Sequence, residues 1–332
     1  LDHIEKWWGD LSREEFWEWV SRPIDPDMFV VHIDNLERRL GHTAGAVFDE
    51  IPDAFRVRRP GGLLDPDPDW LEPVEYRLPP GDYTVELMNP STGQLDYRLL
   101  AGDALFSLAA TGSGPAAARI TSLQEARAFA LEPQDPLEGV EIQVAVALSG
   151  EEERALDVSG LSLPANRSLI LEPTEGAAGF RLSLGGMDAA SVNLRLTEAS
   201  PLGPLTQELS SVQLVEGAPL ELEPWDWIRL AEMPLFTRTY RGDGTVVLRA
   251  YNANPLNLER LLDDMVASGA IPTKGLATSI RKQVARAPSH ALVNHLESLV
   301  AEGAITQGTA DLILVSAEAA ATGGTSRGVV MG

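Results

Sequence analysis

The feature that most constrains this chain is the alternation of apolar and polar residues across 71–251. Tyr83, Val85 and Leu87 alternate with Thr84 and Glu86. Val140, Ile142, Val144 and Val146 share one side of a second run, with Glu141 and Gln143 on the other. Phe180-Arg181-Leu182-Ser183-Leu184 and Val192-Asn193-Leu194-Arg195-Leu196 repeat the pattern. A period of two with one polar side specifies antiparallel strands, one face buried and one wet. Breaks at Gly, Pro and acidic residues roughly every ten positions, with no helical run between them, specify a sandwich or barrel rather than an α/β fold.

The connections agree. Asn89-Pro90-Ser91-Thr92-Gly93 separates two strand-like runs, and Gly242-Asp243-Gly244 separates Phe236-Thr237-Arg238-Thr239-Tyr240 from Thr245-Val246-Val247-Leu248-Arg249. Asp-Gly supplies the positive φ that a tight hairpin needs. Leu-Glu-Pro recurs from Leu71, Leu131, Leu171 and Leu222, where each Pro suits a strand entrance because its missing N–H costs nothing there. The middle reads either as two small β domains, 71–155 and 156–251, or as one larger sandwich.

Composition removes several function classes. The 332 residues carry 49 acidic and 26 basic side chains, a net charge of −23. Such a chain offers no positive field to neutralise phosphate, so neither nucleic acid nor an anionic membrane surface is an expected partner, and no apolar segment calls for direct membrane insertion. There is no cysteine, which excludes disulfide scaffolding, thiol catalysis, Fe–S clusters and covalently attached haem. The first residue is Leu1 rather than Met, which fits processing from a longer precursor.

Residues 1–60 read as a helical, aromatic-rich segment. Ser12-Arg13-Glu14-Glu15 is a capping box with Ser at the N-cap and Glu at N3, and Phe16, Trp19 and Val20 would share one helical face. Trp7, Trp8, Trp17 and Trp19 could hold a sugar ring or a partner, or could dock a short helix on the β body. Asp34-Asn35-Leu36-Glu37 reads as a second cap, opening a helix toward Leu40 that Gly41 would stop. His32 and His42 lie near Asp25, Asp27, Asp34 and Asp49 in sequence, although their spacing demands no metal.

Residues 61–70 read as an Asp/Pro linker. Alternating Asp65, Asp67 and Asp69 resemble the opening of a calcium loop, and calcium is the one cofactor the sequence admits. Trp70 stands where a helix–loop–helix site needs Gly, Tyr76 where it needs Glu, and two prolines stiffen the segment. Trp225 and Trp227 flank Asp226 on a predicted strand, so both rings face one side, as a glycan-stacking platform or as packing.

From Pro255 the period turns helical. Leu258, Leu261, Leu262 and Met265 recur at three and four, and Gly269 ends the run. Ile280 and Val284 mark a second helix, Leu292, Leu296 and Leu299 a third, and Thr306 caps a fourth through Leu312, Ile313 and Val315. Four short helices with tight links make a small bundle over 255–320. In order, the stretch shows Gly269-Ala270-Ile271, Gly275-Leu276-Ala277 with Ser279, a basic-apolar helix to Ala287, Asn294 and Leu296, Gly303-Ala304-Ile305-Thr306, and Ala310-Asp311-Leu312-Ile313 with Ala317. In that order, 258–320 resembles the FIMAH domain, a helical module near the C-termini of secreted and surface bacterial proteins. It departs in a short second linker and in Leu299, where the family has an aromatic. The resemblance implies an extracellular, multidomain setting and carries no catalytic residues. The Gly-rich 321–332 is expected to be a flexible tail.

The expected fold is therefore mainly β with α: one or two antiparallel β-sandwich-like domains flanked by an N-terminal helical segment and a small C-terminal helical bundle. The five histidines show no HExxH and no ligand spacing, and no nucleophile elbow is present. Three functional readings stand. The first is a non-catalytic extracellular or cell-surface accessory or adhesive protein whose β domains present binding surfaces, with a glycan as ligand and Trp7, Trp8, Trp17, Trp19, Trp225 and Trp227 as candidate contacts. The second is a structural subunit of a cell-envelope or surface assembly, its partners other copies or another surface protein. The third is a hydrolase with an unrecognised acidic site.

Overall fold

A computed structural model describes residues 19–23, 28–57, 75–123, 127–148, 153–199, 203–284, 290–322, 326 and 328–331. These are mainly strands in large antiparallel sheets, with helices toward the C-terminal end. The chain forms two compact units. One holds Leu1–Ala177, Leu182–Pro204 and Glu208–Glu216; the other holds Ala178–Arg181, Leu205–Gln207 and Gly217–Gly332.

Two sheets make the first unit. The first sheet runs in the order Leu205–Val215, Ala189–Ala199, Glu153–Leu163, Leu137–Ala147, Ala104–Gly112, Gln94–Ala101, Trp19–Pro23, Glu75–Leu78 and Phe55–Val57. In this unit the second sheet runs Phe180–Gly185 (from Leu182 onward), Ser168–Pro173, Ala128–Pro133, Ala116–Leu123, Tyr83–Asn89, Phe29–Asp34, Arg39–His42 and Val47–Asp49. Successive hairpins alternate between them: 94–112 in the first, 116–133 in the second, 137–163 in the first again. Leu137–Ala147 and Glu153–Leu163 are matched in spacing by Ala189–Ala199 and Leu205–Val215, all of 11 residues. The unit grows by repetition.

Alternation explains the layers. Tyr83, Val85 and Leu87 are buried, as are Val140, Ile142, Val144 and Val146. The rings of Phe106 in the first sheet and Phe129 in the second stack at 5.1 Å and join the layers. Asn89 is buried at the turn that carries the chain from one sheet to the other, yet it is satisfied. Its Oδ1 accepts from the N–H groups of Ser91 and Thr92, and its Nδ2 donates to the Gln94 carbonyl at 2.8 Å.

Several expectations change. Leu137–Ala147 pairs with Glu153–Leu163 across position 155, so no division falls there. Leu-Glu-Pro closes the strands Ala128–Pro133, Ser168–Pro173 and Leu220–Pro224 rather than opening new ones. Residues 28–57 are strands, not helix. Asp34 does supply a cap, but to a hairpin: its Oδ1 accepts from Leu36 and Arg38 N–H at 2.9 Å, and Glu37 takes φ 62. An acid accepting N–H groups ahead of it serves either structure. Gly41 lies within the strand Arg39–His42 at φ 136, where a Cβ would fall on the Val30 carbonyl oxygen. Trp19 and Val20, expected on a helical face, belong to a strand. The capping box at Ser12 lies outside the described residues.

The second unit contains the strands Leu220–Pro224, Leu235–Tyr240, Val246–Tyr251 and Val329–Met331, and helices α1 (Pro255–Ala267), α2 (Lys274–Val284), α3 (His290–Ala301) and α4 (Gln307–Thr322). The Gly242-Asp243-Gly244 hairpin forms as read, with Gly244 at φ 85 and the Thr245 N–H on Asp243 Oδ1. Asn254 caps α1 by accepting from Asn257 N–H, and Pro255 follows it. Leu261, Leu262, Ile280, Leu292 and Ile313 share one core with Phe236, Leu248 and Ala250, so the helices close on strands and not only on one another. Within the expected flexible tail, Val329–Met331 pairs antiparallel with Val246, Val247 and Leu248. Ser326 anchors it by exchanging hydrogen bonds with the Ala250 backbone.

Candidate functional site

The outer face of the first sheet is banded. Leu99, Phe106, Val144, Leu156 and Leu196 pair across five strands and point into the core. Their chain neighbours therefore face outward. On one side runs a polar row in register: Arg98, Ser107, Gln143, Asp157 and Arg195. Gln143 Nε2 donates to Asp157 Oδ1 at 2.7 Å, and Arg195 Nε donates to Glu208 Oε1 at 3.0 Å. In the next row Ser159 pairs with Asn193, whose Oδ1 accepts from the Ser211 N–H at 3.1 Å.

Backbone irregularities seat this row. Gly160 takes φ +72, and a Cβ there would lie 2.9 Å from Asn193 Nδ2, so the missing side chain makes room for the amide. Ser211 takes φ 56 in the neighbouring Leu205–Val215 strand, turning its N–H onto Asn193. Desolvation holds the half-buried Asp157 carboxyl above its usual range, against the hydrogen bond from Gln143 and the charge of Arg195. The result is amide, carboxylate and guanidinium groups one strand apart, about 4.8 Å. That spacing suits a polyhydroxylated ligand, whose hydroxyls both donate and accept.

A second polar cluster is sealed between the sheets. The His32 ring lies 4.8 Å from that of Tyr76, its Nδ1 donates to the Leu40 carbonyl at 3.3 Å, and its Nε2 accepts from the Tyr97 hydroxyl at 3.4 Å. Burial pushes the His32 imidazole down to about 3, although the Leu40 carbonyl acts the other way. Tyr76, pushed up to about 12 by burial, meets His42 Nδ1 at 2.8 Å. The two histidines thus converge on a tyrosine rather than on Asp34 or Asp49. Among the described residues, no group of three or more His, Asp or Glu side chains is placed to hold a metal ion.

The remaining sequence candidates fall elsewhere. Trp7, Trp8, Trp17, Asp65, Asp67 and Asp69 lie outside the described residues, and the backbone of Trp19 pairs with that of Leu78. The strand before Trp225 ends at Pro224, so Trp225 and Trp227 stand in a turn and not on a strand. Trp227 is buried edge-on to Phe180, its Nε1 donating to the Ala178 carbonyl at 3.0 Å. Trp225 is half-buried against Phe236, and its Nε1 donates to Asp264 Oδ2 on α1 at 3.1 Å. Arg229 ties Asp226 to the same Asp264. Both rings act in packing the second unit.

Sequence reasoning placed Gln143, Asn193 and Arg195 on the polar sides of their strands without joining them. The signal that joins them is the pairing register, and that is set by hairpin geometry far along the chain. No helix among the described residues is long and apolar enough to cross a membrane. Comparison with known protein families, with curated proteins and with solved structures returned no match.

Proposed function

We propose that this chain is a non-catalytic accessory or adhesive protein of the bacterial cell exterior, and that the polar row of the first sheet takes a glycan. One observation carries the reading: Arg98, Gln143, Asp157 and Arg195 stand in register on the outward face, where a core-forming sheet needs no such set. Planar amide, carboxylate and guanidinium groups bind paired hydroxyls in a fixed geometry. The FIMAH-like order of 258–320 supports an extracellular setting. Calcium at Asp65, Asp67 and Asp69 remains a separate proposal, checked by a mass shift on calcium addition that chelator reverses.

Glycan-array binding by the whole chain tests the main reading. Gln143→Ala with Arg195→Ala is expected to weaken any captured glycan at least tenfold while leaving the unfolding temperature of the rest intact. A chain that captures no glycan, or a double variant that binds as tightly as the parent, sinks the proposal. The assembly-subunit reading draws on Val47, 71% exposed on the three-residue edge strand Val47–Asp49. Native mass spectrometry showing open-ended oligomers would favour it.

A further inference from the structure

The strand Val246–Tyr251 is met differently on its two sides. Toward Leu235–Tyr240 all six of its residues pair. On the other side stands the outermost strand of that sheet, Val329–Met331, which pairs with Val246, Val247 and Leu248. Ahead of it Ser326 extends the match. Its N–H donates to the Ala250 carbonyl at 3.0 Å, and its hydroxyl accepts from the Ala250 N–H at 2.9 Å. A serine side chain thus does what a strand carbonyl does elsewhere in a ladder. Ser326 is 4% exposed and Ala250 is fully buried, so these backbone groups depend on each other rather than on water.

The seat is selective. Gly328 takes φ +102, and a Cβ there would stand 2.9 Å from both Val247 Cγ1 and Arg249 Cγ. A larger residue at that position would be strained and would displace both neighbours. Read along its occupant, the edge asks for Ser, then Gly two positions on, then three residues of extended backbone. That is a recognition rule for a peptide that adds a strand to a sheet edge.

Nothing in the rule requires that the peptide belong to the same molecule. The occupant's strand has three residues, below the usual five or six (about 17–20 Å). Its outer side leaves Val330 58% exposed. A second copy carries the same Ser326 to Met331 sequence. Each contact made within one chain is therefore available between two chains, and local concentration decides between them.

We propose that the Val246–Tyr251 edge is a docking slot for an extended Ser-x-Gly segment, and that residues 326–331 of a second copy enter it in exchange for the chain's own. This goes beyond the glycan reading and stands whether or not the polar row binds one.

Because the chain has no cysteine, each test variant carries a single thiol. Val247 and Val330 are register partners, at a Cβ spacing of about 4.5–5.5 Å that lets a disulfide close with little movement. Full-length Val247→Cys and Val330→Cys chains, one of them isotopically heavy, are mixed at high concentration, oxidised and weighed by mass spectrometry. Neither chain can close a disulfide within itself, so preferential bonding between the two variants reports exchange. Heavy–light dimers are expected to outnumber same-label dimers at least tenfold. Adding Gly328→Val to the Val330→Cys chain should lower their yield at least tenfold. A heavy–light share no greater than random collision gives would overturn the proposal, as would a yield that Gly328→Val leaves unchanged. Should Val247→Cys fail to fold, the parent chain serves in native mass spectrometry. Oligomers that Gly328→Val removes would uphold the exchange, and a parent that stays monomeric as its concentration rises would sink it.

Discussion

The two units repeat themselves by different means. In the helical unit, α1 ends at Gly269-Ala270-Ile271 and α3 at Gly303-Ala304-Ile305, with the glycines at φ 80 and φ 69. Ile271 N–H returns to the Met265 carbonyl and Ile305 N–H to the Leu299 carbonyl, the same closing bond twice. Thr273 and Thr306 then cap the next helices, accepting from Leu276 and Thr309 N–H. In the β unit, paired 11-residue strands recur at equal spacing, yet LEGVEIQVAVA and AASVNLRLTEA share little beyond apolar parity. A helical hairpin encodes its stop in three adjacent residues. A β hairpin encodes only which side faces in, and any sequence of the right parity will do.

The comparison can be broken most forcefully in the β core. Phe106→Ala removes one half of the stacked pair joining the sheets and should cost about 3–5 kcal/mol in denaturant unfolding. A loss under about 1 kcal/mol would mean that the layers are not held as described.

Acid should separate the units next. The folded His32 resists protonation, while the unfolded residue takes up its proton below about 6.5. Its contribution is complete above that pH and is lost as pH falls toward about 3. At pH 4.5 the β unit should be weaker by about 2–3 kcal/mol. His32→Gln should start less stable but lose less between pH 7 and pH 4.5, as followed by circular dichroism.

Smaller still are the paired turns. Gly269→Ala and Gly303→Ala should each cost about 1–2 kcal/mol, because both hold a left-handed backbone. A large difference between them in thermal melts would show that the two helix hairpins are not equivalent. The smallest effect is at the caps: Asn254→Ala and Thr306→Ala should each cost about 1 kcal/mol.

This contrast also sets how much of the molecule can be read from its sequence. The α1 to α4 boundaries were legible at Pro255, Gly269, Gly303 and Thr306, since each signal acts within one helical turn. Strand faces were legible for the same local reason. The alternation of hairpins between sheets was not, because the turn at Asn89 looks the same whether it folds a hairpin or crosses between layers. Asp34 misled because an Asx turn and a helix N-cap use the same acceptor. The candidate binding row lay beyond reach. Gln143, Asp157 and Arg195 become neighbours only through pairings that no local residue announces.

The position of Trp19–Pro23 has a consequence for how the protein is made. It lies between Glu75–Leu78 and Gln94–Ala101, paired with both. On a ribosome this strand emerges well before either of its partners and cannot pair with them until residues far downstream have cleared the exit tunnel. Closing such a long loop is slow compared with closing a hairpin. The seam beside Tyr97 would then be among the last to set, and a nascent chain stalled before residue 100 would hold an unclaimed strand next to its most aromatic stretch.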